Sequence, residues 1–233
     1  MDSGERLSER NTATIIGVLF IIGTASGALS AAVTGSIIGA PDYLARVATH
    51  QSQMTLGALL ILTMGFALSM VPVVFYPVAR RYSEVLAMGY VVFRGALEGV
   101  TYIVSALGGL ALVALSTQSV ATVGPIAELA KGVLANPMTD FAFVFGALIF
   151  YYVLYSSRLV PRWLSVWGLV GAVLYIGPVL FRLSGLSFDY LYGPLFLQEM
   201  VMAVWLIVKG FEPAERRSSS KATFNSPAQG VDV

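Results

Sequence analysis

Cysteine is absent from this chain, and histidine occurs once, as His50. Without a thiol there is no disulfide, no thiolate nucleophile and no iron–sulfur cluster, and one imidazole does not make a His-cluster metal site. Charge is scarce as well. Asp, Glu, Lys and Arg together make up 12% of the 233 residues, about half the share found in ordinary globular domains. Their signs nearly cancel, 14 Lys and Arg against 13 Asp and Glu, so no global basic field exists to attract nucleic acid. Also missing are an HExxH helix, a GxSxG elbow and a Walker loop, and with them the working parts of the usual metalloproteases, serine hydrolases and P-loop enzymes. No residue is assigned a catalytic role, and no cofactor or metal is expected.

What the chain has instead is apolar length. Hydrophobic residues make up 57% of it and the mean hydropathy is +0.78. They gather in runs near the roughly 20 residues that a helix needs to cross about 30 Å of hydrocarbon. The fold class expected is therefore all-α, a transmembrane bundle of six helices in contact with the lipid bilayer. The spans run over about 12–38, 52–77, 85–115, 141–156, 164–181 and 193–208. The head before the first run is net acidic in side chains and the run is too long for a cleaved signal peptide, so it reads as a retained helix. Pro72 predicts a bend in the second span, and Gly177-Pro178 a kink in the fifth. Between Ser116 and Thr139 lies a loop with a short amphipathic helix at the membrane interface, Ile126 to Lys131. Trp163, Trp167, Tyr190 and Tyr192 read as interfacial anchors. The chain thus divides into a head at 1–11, a six-helix domain at 12–211 and a disordered tail at 212–233, too poor in apolar residues to fold alone.

Orientation follows from the basic residues between spans. Arg6, Arg10, Arg80, Arg81, Arg158, Arg162, Lys209, Arg216, Arg217 and Lys221 fall on one side, and only Arg46, Lys131 and Arg182 on the other. This places both termini in the cytoplasm. The remaining basic residue, Arg94, lies inside the third span.

An ionised side chain at the bilayer centre costs about 2.5–3.5 kcal/mol on insertion scales and normally faces a bundle interior or cavity. Arg94 lies eleven residues past Ser83, about 16 Å into the third span. Glu98 follows at i+4, on the same helix face. Glu199 precedes Lys209 by ten residues, about 15 Å from the same boundary. Matched depth predicts a triad of Arg94, Glu98 and Glu199 joining the third and sixth spans. Fully ionised, it carries a net charge of −1, which a proton, a cation or a cationic ligand would neutralise. Gly95 and Gly99 beside it leave room for a water or ligand. The competing reading is a buried ion pair that only fixes helix register.

Three further groups belong to the outer rim: His50, whose ordinary titration range spans neutral pH and would suit a gate or pH sensor, together with Arg182 and Asp189; the simpler readings, a solvated interfacial histidine and an interfacial ion pair or snorkelling side chains, are preferred. Gly23, Gly27, Ala31, Gly35 and Gly39 form a stripe of small residues suited to close helix packing. An intrachain partner is the simpler use of this stripe, and homo-oligomer contact through Gly23 and Gly27 is the other.

Phe93-Arg94-Gly95-Ala96-Leu97-Glu98 in the third span, Arg158-Leu159-Val160-Pro161-Arg162-Trp163-Leu164 with Trp167-Gly168 around the start of the fifth, and Glu199 with Trp205-Leu206-Ile207 and Lys209-Gly210-Phe211 in the sixth resemble the bacterial membrane family called domain of unknown function 4386. The resemblance covers about residues 12–211. It implies six or so helices in a bacterial plasma membrane, the inner membrane, and brings no established activity. The functional expectation is a small transporter or ligand-binding membrane protein for an unidentified small ligand or ion, with one Glu exchanging protons. The alternative is a non-catalytic scaffold or accessory subunit whose basic tail meets lipid or a partner. Enzymatic activity is unsignalled.

Overall fold

In the computed structural model the described residues are 3–135, 137–183 and 189–212, and they are helical throughout apart from short turns, with no strand among them. The helices are α1 (Ser3–Ile38), α2 (Tyr43–Thr49), α3 (Gln51–Ala79), α4 (Glu84–Tyr90), α5 (Glu98–Leu115), α6 (Val120–Gly132), α7 (Pro137–Ser157), α8 (Arg162–Leu183) and α9 (Gly193–Val208). A π-helical segment, Val91–Leu97, joins α4 and α5 into one rod. Among the described residues five stretches are long and apolar enough to cross a membrane: Glu9–Ile38, Gln51–Ala79, Glu84–Leu115, Thr122–Ser157 and Arg162–Phe181. Gly193–Val208 is equally apolar but shorter, about 24 Å at 1.5 Å per residue.

These helices are apolar on both faces, so burial alone does not account for their composition. Phe66, Val85, Leu107, Val173 and Val208 stand more than half exposed on the outside. In water such a surface would drive association, whereas against acyl chains it is at rest. The buried faces meet in an aromatic core of Phe20, Phe75, Tyr90, Phe150 and Tyr151. Phe75 meets Phe150 edge to face at 5.2 Å, and Tyr90 stacks on Phe150 at 5.1 Å. α1 packs along α3 and also against α9.

Several sequence expectations shift in detail. The first helix starts at Ser3, so the head from there on continues the span without a break. α3 runs unbroken through Pro72 and Pro77. Two short helices, α2 and α6, build a cap at one end, where Tyr43, Leu44 and Val47 pack with Val123, Ala127 and Ala130 onto Ile37, Met54 and Leu112. The loop helix is thus twice the length read from Ile126 to Lys131, because its buried face begins at Val123. Its Ile126 and Leu129 point away from that core and are well exposed. Gly23 and Gly27 of the small-residue stripe rest against Leu68 and Met64 of α3 in the same chain.

The opposite end gathers basic residues. Arg81 pairs with Glu9 at 3.0 Å. Arg10 donates to the last carbonyls of α9, those of Ile207, Val208 and Lys209, at 3.0–3.2 Å. The Glu212 N–H donates to the Leu159 carbonyl at 2.7 Å. Beyond Glu212 the tail, with Arg216, Arg217 and Lys221, lies outside the described residues.

Candidate functional site

The site is built on the π-helical segment. Its wide turn is closed by the Glu98 N–H donating to the Phe93 carbonyl, five residues back, a geometry that recurs at functional positions in helices. α7 approaches this segment closely because residue 146 is glycine: a Cβ there would stand 3.0 Å from the Cβ of Arg94. Arg94 and Glu98 both turn inward and are sealed from the surface, 2% and 0% exposed. Arg94 Nη1 donates to both carboxylate oxygens of Glu98 at 3.1 Å. Its Nη2 reaches Oε1 of Glu199 at 3.5 Å. Glu199 lies on the inner face of α9, one turn from Leu195 and from Met202 and Ala203, which are all buried. The three charges that were expected at one depth therefore meet across α4–α5 and α9.

More groups surround them than the charges alone suggest. Tyr102, one turn beyond Glu98, donates its hydroxyl to Glu98 Oε1 at 2.6 Å. The Arg94 guanidinium lies over the ring of Phe143, 4.6 Å from its centroid, with Phe20 farther off at 5.9 Å, an attractive placement for a cation held out of water. Tyr90, Tyr151 and Tyr175 are within electrostatic reach of the cluster. Beside Glu199, the buried Gln198 accepts from the Tyr151 hydroxyl and donates to the Leu164 carbonyl at 3.0 Å. Every member of this network is bonded, as burial of polar groups requires.

A cavity of about 450 Å³ opens beside the cluster, within the range of small-molecule sites. Its walls come from α1, α3, α5 and the segment 131–140, with Ile38, Met54, Ile61, Met64 and Leu134 as the larger apolar residues. Three hydroxyls on the wall are spent on backbone: Ser30 on Gly57, Thr34 on Ser30 and Ser105 on Val133. Tyr102 lines the cavity too. One side chain thus belongs both to the cavity wall and to the ion-pair cluster. At the far rim stand Lys131, Thr139 and Asp140. Lys131 Nζ sits 4.1 Å from the centroid of the Tyr43 ring, and Asp140 accepts from Tyr175 at 2.9 Å. Burial pushes the Tyr43 hydroxyl up to about 12, with a hydrogen bond to Glu128 adding to the rise.

The outer-rim residues do not join this centre. His50 is exposed between α2 and α3, its Nδ1 2.8 Å from the Thr49 hydroxyl and 2.9 Å from the Arg46 carbonyl. Arg46 instead pairs with Asp42 at 2.9 Å, and that hydrogen bond lowers the Asp42 carboxyl below its ordinary range. Arg182 closes α8 and Asp189 opens a 3-10 turn, Asp189–Tyr192; their side chains lie outside the described residues. Gly95 and Gly99 face Pro72 and Ser69 at a separate groove between α3 and the α4–α5 rod. Among the described residues no three His, Asp or Glu side chains gather in a way that would hold a metal ion.

The model of a family described as Domain of unknown function (DUF4386) matches residues 15–210, most of the chain. No curated protein and no solved structure matches it.

Proposed function

The chain belongs to the DUF4386 family, and from that premise we propose that it is a multi-pass protein of the bacterial inner membrane that binds, and in turnover carries, a small ligand, with a carboxyl group of the Arg94–Glu98–Glu199 cluster exchanging protons. In this reading α9 is a sixth crossing, residues 12–211 form the membrane domain, and both termini are cytoplasmic. The observation that carries it is Tyr102, whose side chain lines the cavity and whose hydroxyl holds Glu98. A proton delivered by hydronium in the cavity to the Tyr102 oxygen, as its own proton passes to Glu98, leaves water behind and neutralises the surplus charge of the cluster. The two acids differ in access. Glu98 is fully enclosed, while the Glu199 side chain keeps 12% of its surface open, so Glu199 offers the second exchange point.

The test is pH-difference infrared spectroscopy of the protein in liposomes. A protonating buried carboxyl contributes a carboxylic C=O band, expected in the unaltered protein and lost in Glu98→Gln or in Glu199→Gln. If no such band arises across the pH range in which the protein stays folded, or both single variants keep it, the cluster is a fixed structural bridge and the scaffold reading replaces this one.

A further inference from the structure

From the cavity and its surroundings we infer the ligand class: an amphipathic organic cation, its apolar body against Met54, Ile61 and Met64 and its charged end toward Tyr102. This rests on the reading above and adds the chemistry of the occupant. The wall selects for an apolar body, since Ser30, Thr34 and Ser105 direct their hydroxyls into backbone carbonyls. The charge follows from what faces the space. At the inner end the Tyr102 hydroxyl gives its proton to Glu98, which leaves the oxygen lone pairs and the ring face as the features a ligand meets, and both attract a cation. Behind it stand two carboxyl groups and one guanidinium, a surplus of one negative charge when all are ionised. At the rim Lys131, the one cation among the described lining residues, is drawn aside over Tyr43. An anionic amphiphile meets no comparable attraction at the inner end.

Two probes of matched shape and opposite charge separate the terms: tetraphenylphosphonium and tetraphenylborate. Equilibrium binding to the purified full chain in neutral detergent should be saturable for the phosphonium and at least about tenfold weaker for the borate. Gly35 supplies the control for location, because it lines the cavity and a Cβ built there meets nothing within 4 Å. Gly35→Phe should therefore fold with an unchanged melting temperature and lose saturable phosphonium binding. Glu98→Gln removes the surplus charge and should weaken the phosphonium by about tenfold while leaving the borate no weaker. Absence of saturable phosphonium binding, equal binding of the two ions, or full binding by Gly35→Phe overturns the inference. The infrared carboxyl band is read on ligand-free protein, so its presence beside failed phosphonium binding removes only the ligand class, and its absence removes the proton-exchange reading itself.

Discussion

Arg94 is the residue on which the interior depends. It neutralises Glu98 directly and Glu199 at longer range, and it is itself enclosed by Phe143 and Phe20. Removing one partner of such a pair leaves an uncompensated buried charge, which costs about 3–5 kcal/mol, whereas replacing the whole set with apolar groups often costs little. Arg94→Met should lower stability by about that amount in thermal unfolding of the detergent-solubilised protein at neutral pH. Acidification should recover part of the loss, because protonation removes the stranded negative charges. A loss that does not change with pH would mean that the damage is packing alone. The triad itself was legible in the chain, since the cost of charge in hydrocarbon makes each intramembrane ion conspicuous and helix rise fixes its depth. Tyr102 was legible by the same i+4 rule that pairs Arg94 with Glu98, but a tyrosine in an apolar span carries no penalty that draws attention to it. Gln198 stands next to Glu199 and was overlooked for a similar reason: its amide is neutral, and only its partners on α7 and α8 show that it is buried.

At the scale of single elements, most span limits follow from hydropathy to within a few residues, because the apolar run and the helix are the same object in a membrane protein; the exceptions are the starts of the first and fourth, where the helical or apolar stretch reaches back to Ser3 and Thr122. What hydropathy does not contain is hydrogen-bond register. Nothing in Val91–Leu97 marks a π turn, since it depends on how α7 presses on the backbone of Arg94 through Gly146. The helix α2 and the first turns of α6 are missed for a related reason, because each helix is short and packs against the other in the cap. Helix ends give a direct test. Gly210 ends α9 with φ of 74° and its N–H bonded to the Trp205 carbonyl, while Arg158, after α7, takes the same left-handed conformation at φ of 55° without glycine's freedom. Gly210→Ala should destabilise by about 1–2 kcal/mol, the more so because a Cβ there meets Arg10 Cδ at 3.0 Å. Arg158→Gly should stabilise by about 1 kcal/mol. Melting temperatures moving in opposite directions would bear out both assignments, and a common direction would refute the backbone argument.

For the whole molecule, sidedness is the property that the amino-acid pattern reaches and helix packing does not, since a bundle alone has no inside or outside. The basic loops gather at one end, where Arg81 meets Glu9 and Arg10 meets α9. The cap and the cavity rim occupy the other. Because the chain has no cysteine, single-cysteine variants report location without background. Gln118→Cys, beyond α5, should react with a membrane-impermeant maleimide on intact bacterial cells or spheroplasts. Ser156→Cys, near the end of α7, should react only after the membrane is opened. The reverse pattern would invert the orientation, and labelling of both or neither in intact cells would contradict a crossing by α7.

The seam between the first helix and the last also sets an order of assembly. Arg10 leaves the ribosome 197–199 residues ahead of the carbonyls of Ile207, Val208 and Lys209 that it binds. Between those two points α1 is therefore left with an unfilled side, because α3 follows it closely and α9 comes after all the other described helices. The bundle closes as a ring when α9 docks, and a nascent chain halted before α9 would present the groove meant for it to any other helix in the membrane.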